Sequence, residues 1–148
     1  MAEGARKRSV AIGVWKGGGP PPGYEWTVLI HRFAFEEAVL FLDDDQYEYV
    51  KRQVQDLARH RDPTHSSTLS IDRVESFAEL RMKGGGIGTR INARLYFDLV
   101  PDIRVIRVLG FDLKKNDGQI LIPVKERILR RQRGWDNGKY PMLTDADS

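Results

Sequence analysis

Phe77-Ala78-Glu79-Leu80-Arg81-Met82-Lys83, followed by Gly84-Gly85-Gly86-Ile87-Gly88 and then Arg90-Ile91-Asn92-Ala93-Arg94-Leu95-Tyr96-Phe97, is the stretch on which the fold turns. Ala78, Leu80 and Met82 alternate with Glu79, Arg81 and Lys83; Ile91, Ala93, Leu95 and Phe97 alternate with Arg90, Asn92, Arg94 and Tyr96. Successive side chains of a strand point to opposite faces, so this spacing predicts two half-buried strands. The glycine run between them lacks the lysine and the serine or threonine of a phosphate-binding P-loop and precedes a strand rather than a helix, so it reads as a flexible hairpin loop.

Beyond this hairpin, Pro101-Asp102 turns the chain into residues 103–113, apolar at nearly every position, which predicts a central strand covered on both faces. Pro123 then opens a helix through Arg133 that Gly134 ends, with Val124, Ile128 and Leu129 as its buried side. On the N-terminal side, Trp26, Val28 and Ile30 alternate with Thr27, Leu29 and His31 as a strand, and residues 34–42 read as a short helix. Asp43-Asp44-Asp45 supplies an N-cap and first-turn carboxylates to a second helix, whose apolar stripe Tyr47, Val50, Val54 and Leu57 runs until Asp62-Pro63. The resulting order predicts an α+β fold: a twisted antiparallel sheet of about four strands, with the helices packed on one side. Residues 10–15 suit a short edge strand, but Gly17-Gly18-Gly19-Pro20-Pro21-Pro22-Gly23 suits only a linker or loop. The division is therefore 1–23 as an N-terminal extension, 24–138 as the domain and 139–148 as a tail.

The chain has 148 residues and no cysteine, which excludes disulfide scaffolds and thiol chemistry and makes the cytoplasm the expected compartment. No apolar run is long enough for a membrane span, so no membrane partner is expected. Net charge is only +3, yet residues 74–135 carry thirteen Lys and Arg against seven Asp and Glu, while acids gather at Glu36, Glu37, Asp43, Asp44, Asp45 and Glu48. A basic half attracts polyanions, with nucleic acid the commonest. If the two alternating strands pair, Glu79, Arg81 and Lys83 lie beside Arg90, Asn92, Arg94 and Tyr96, with Lys114 and Lys115 at the rim. Guanidinium and ammonium groups so placed suit phosphate; equally, an open sheet has a polar outer face in which Glu79 pairs with a neighbouring arginine. Lys125, Arg127, Arg130, Arg131 and Arg133 on the last helix either extend such a groove or form a solvated face. His31, His60 and His65 lack metal-ligand spacing, and no metal or cofactor is expected.

Several of these motifs occur in an order that resembles the RelE/ParE superfamily of toxins, in particular its HigB-like, phage-derived branch. They are Phe77-Ala78-Glu79-Leu80-Arg81 before a glycine-rich turn, Arg94-Leu95-Tyr96-Phe97, and Val108-Leu109-Gly110-Phe111-Asp112-Leu113-Lys114-Lys115, followed by a helix after Pro123. The resemblance covers about residues 24–135 and implies a RelE-like endoribonuclease that cleaves mRNA on the ribosome and is silenced by a cognate antitoxin, often a helix-turn-helix protein. It implies Arg81 and Arg94 as phosphate-holding residues supported by Lys114 and Lys115, with Glu79 or a lysine of lowered pKa as base. Lys83, Arg90, Tyr96, Lys125 and Arg130 are expected to contact RNA. The family's C-terminal histidine is missing; Trp135 and Tyr140 stand in that region. The ParE branch shares the fold but inhibits DNA gyrase without cutting RNA, which is the alternative.

Overall fold

The computed structural model describes residues 20–114, 120–136 and 142–143; the strand expected at 10–15, Lys115 and Tyr140 lie outside them. The first strand, β1 (Thr27–His31), is buried at all five positions and leads into α1 (Arg32–Phe41) and α2 (Asp44–Arg59). The α2 N-terminus is a reciprocal cap: Asp43 accepts the Gln46 N–H at 2.8 Å, and the Gln46 side chain accepts the Asp43 N–H at 2.9 Å. Tyr47, Val50, Val54 and Leu57 form the buried stripe expected from their spacing.

After α2 come β2 (Ser70–Arg73), β3 (Ala78–Gly84), β4 (Gly88–Val100), β5 (Val105–Lys114), α3 (Ile122–Asp136) and the two-residue β6 (Met142–Leu143). One mixed sheet holds the six strands of the described residues in the order β2-β3-β4-β5-β1-β6. Two corrections to the expected four-stranded antiparallel sheet follow. β1 runs parallel to β5, with Thr27 opposite Val105 and Ile30 opposite Val108, because two helices and three strands intervene and no tight turn dictates direction. The unexpected β2 is an edge strand paired to β3, and part of the tail forms β6.

The helices also do not share a side. Leu80, Leu95, Phe97, Ile106 and Phe111 join α1 and α2 in one core. Leu29, Tyr96, Val105 and Leu109 meet Ile128 and Trp135 of α3 in a second core on the opposite face. The apolar run of β5 already demanded this, since a strand apolar on both faces needs two covers. Gly134 does not end α3, which continues to Asp136 with Gly134 and Trp135 both buried. A bulge places Tyr96 opposite Gly110 and Phe97 opposite Val108, leaving Leu109 as the extra residue. A Cβ on Gly110 would run into Ile128, so glycine there lets α3 approach the sheet. The glycine run after β3 is a 3-10 turn (Gly85–Ile87) flanked by Gly84 and Gly88 at φ 68° and 125°, with Ile87 buried and its carbonyl accepting from Gln46.

His31 caps α1, its Nδ1 accepting the Phe33 N–H at 3.0 Å, and packs edge-on against Trp135. Burial, then Arg131, push its pKa from 6.5 down to about 4, with Glu37 partly opposing. The unfolded chain therefore takes up this proton first as pH falls. The contribution is complete above about pH 6.5 and erodes toward pH 4, amounting to about 3 kcal/mol of lost stability. Urea unfolding across that window is expected to show a steeper loss for wild type than for His31→Asn, and equal slopes would contradict the assignment.

Candidate functional site

The β3–β4 register sets Glu79 opposite Tyr96, Arg81 opposite Arg94 and Lys83 opposite Asn92. β5 extends these rows, adding Gly110, Asp112 and Lys114 respectively. The polar sets thus share the sheet face away from α1 and α2, as alternation predicts. The strands do not present this face evenly, because α3 covers its Tyr96 end. Toward the glycine turn it stays open as a cleft of ≈ 220 Å³ lined by Ser70, Arg81, Lys83, Asn92 and Arg94.

Depth separates the expected site residues. Glu79 and Arg94 are each 1 % exposed, whereas the Arg81 side chain is 31 % exposed and Lys83 is exposed. The Glu79 carboxylate accepts from Arg81 Nε at 3.0 Å and from Arg94 Nη1 at 3.4 Å. Arg81 also donates from Nη2 to Asp72 of β2 at 2.9 Å. Two acids therefore hold Arg81, and neither lines the cleft, whose charged lining residues are all cations. Asp72 and Ser70 escaped the sequence reading because β2 holds a single apolar residue, Ile71, and so carries no alternation.

Tyr96 is fully buried beneath α3, edge-on to Phe77, and its hydroxyl has no hydrogen-bond partner among the described residues. Burial, followed by the charges of Asp112 and Glu79, pushes its pKa far above the ordinary tyrosine value. It offers no surface to an RNA base in this arrangement, which corrects its expected contact role. Lys125 bonds Glu75 at 2.5 Å, in the β2–β3 turn at the far end of β3 from Lys83, so it does not join the cleft. Arg130 is exposed on α3. The side chains of Arg90 and Lys114 lie outside the described residues, although the Lys114 backbone pairs with Asn92 at the cleft.

A further charged cluster fastens α3 rather than forming a site. Arg107 makes a two-pronged pair with Asp98 at 2.7 and 2.5 Å and bonds Asp136 at 2.7 Å. Burial works against its charge, but these partners outweigh it and hold its pKa above the ordinary arginine value. Gln132 adds bonds to Asp98 and to the Ser76 carbonyl. Elsewhere a cleft of ≈ 340 Å³ lies between Thr64, Arg73, Ser76, Leu99 and Pro101. Its carboxylates, Asp62 and Asp98, are engaged by Thr64 and His65 and by Arg107 and Gln132.

The fold and cleft define an α+β domain with a mixed sheet, helices on both faces and a basic cleft beside the β3–β4 turn. Comparison with models of protein families, with curated proteins and with solved structures finds no match to this chain. No helix among the described residues is long and apolar enough to cross a membrane.

Proposed function

We propose that this chain is a RelE-like toxin endoribonuclease that binds mRNA in the β3–β4 cleft and cleaves it on the ribosome, in the cytoplasm, under control of a cognate antitoxin. The observation that carries the reading is the cleft itself, where a partly exposed Arg81 and an exposed Lys83 stand beside Asn92. In the proposed step the ribose 2′-OH gives up its proton to water as its oxygen bonds to the adjacent phosphorus. The phosphorus–5′-oxygen bond breaks, and the leaving 5′-oxygen takes a proton from water, giving a 2′,3′-cyclic phosphate and a 5′-OH. Charge that grows on the phosphorane falls to Arg81 and Lys83, with Lys114 in the same register row. Glu79, being buried, serves this reading by holding Arg81, and the buried Arg94 by pairing with Glu79.

That same burial favours one second reading, a protein of this fold that binds its target without cutting, as a gyrase inhibitor does. Induced expression in bacteria followed by mapping of mRNA 5′ ends separates the two. Wild type is expected to arrest growth and create 5′-OH ends inside coding regions, and Arg81→Ala to cleave about a hundredfold more slowly. Arrest with intact mRNA supports the second reading, and no arrest removes both.

A further inference from the structure

We infer that Asp72 is a positioning residue of this cleft: it fixes the Arg81 guanidinium so that the free edge of Arg81 meets RNA phosphate. The inference rests on the RNA-binding reading above. Arg81 has five N–H groups, and the two acids take only Nε, through Glu79, and one hydrogen of Nη2, through Asp72. Nη1 and the second Nη2 hydrogen have no partner among the described residues, and together they form the fork that suits a phosphate. An arginine left to itself spreads over many rotamers and must give up that freedom on binding. Here the freedom is already spent, because carboxylates on two different strands grip the group from behind.

Asp72 is otherwise hard to place at a polyanion site. Its side chain is 57 % exposed on an edge strand, and its carboxylate bonds Arg81. A bare negative charge beside an RNA cleft repels the ligand, so long-range electrostatics alone predicts that removing it tightens binding. Positioning predicts the opposite sign. A purely structural cross-strand pair predicts a small stability change and no specific effect on binding.

The test uses the full chain and a short, fluorescein-labelled single-stranded RNA with 2′-O-methyl riboses, which cannot be cut by 2′-oxygen attack. Anisotropy over a series of salt concentrations gives affinity and salt slope for wild type, Arg81→Ala, Asp72→Ala and Asp72→Glu. Asp72→Ala is expected to bind about tenfold more weakly despite its added positive charge. Its salt slope should flatten by about 0.7, as for Arg81→Ala, because one phosphate contact is lost. Asp72→Glu should recover most of the affinity, and the melting temperatures of the two Asp72 variants should stay within a few degrees of wild type. Asp72→Ala binding as tightly as wild type or more so, while Arg81→Ala weakens, overturns the positioning role. If wild type fails to bind, or Arg81→Ala binds unchanged, the RNA reading itself falls and takes this assignment with it.

Discussion

Glu37→Ala is expected to lower the free energy of unfolding by about 3–5 kcal/mol, the cost of leaving a buried charge unpaired. β1 stops at His31, and its pairing to β5 ends at Ile30 opposite Val108. The rest of β5 on that side has α1, not a strand, for a neighbour. Side chains then do what a strand would do. Glu37 Oε1 accepts the Phe111 N–H at 3.1 Å, and Arg131 Nη1 donates to the Leu109 carbonyl at 3.0 Å. The two side chains are joined by a two-pronged pair, each arm 2.8 Å. A single carboxylate therefore ties α1, β5 and α3 together. Removing it orphans a guanidinium that is largely buried and a backbone donor at once. Urea unfolding gives the value, and a loss below about 1 kcal/mol would mean that the pair acts like an exposed surface bridge. Glu37→Gln should fall between the two, since its amide still accepts from Phe111 but no longer balances Arg131.

Glu37 also shows what the amino-acid order conveys and what it withholds. Local chemistry is legible: the Asp43 cap and the Tyr47, Val50, Val54, Leu57 stripe place α2 correctly. The β3–β4 pairing was equally readable, because alternation fixes which side chains share a face. Alternation carries no strand direction, however, so the parallel β1–β5 pair was out of reach. The side taken by α3 was implied by the doubly apolar β5, but a rule that groups helices together outweighed it. The cost fell on the site. Glu79, Arg94 and Tyr96 were expected to be open because the sheet face was expected to be bare; all three are buried, and α3 covers the Tyr96 end of that face. Burial of a strand residue depends on what docks across it from far away in the chain, and the Ala78–Met82 pattern holds no record of that.

That difference in depth bears most on Glu79, expected as base alongside the alternative of a lysine of lowered pKa. Glu79→Ala is expected to cost about 3–5 kcal/mol, because the Arg94 guanidinium beside it is 1 % exposed and loses a carboxylate partner. Glu79→Gln keeps the shape and one acceptor, and should cost about 1–3 kcal/mol. Cleavage separates the roles. A general base must come within about 2.6–3.2 Å of the proton that it removes. Both Glu79 oxygens already face guanidinium donors, and Arg81, not Glu79, lines the open cleft. A 2′-OH can reach Glu79 only by displacing Arg81, the group that the proposed reaction needs at the phosphate. Under the proposed reaction, Glu79→Gln should retain cleavage to within a few-fold at temperatures where the variant is folded. A base, by contrast, contributes about 10²–10⁴-fold. A folded Glu79→Gln protein that loses cleavage by a hundredfold or more, with RNA affinity unchanged, would return Glu79 to the chemistry and require Arg81 to swing aside during each turnover.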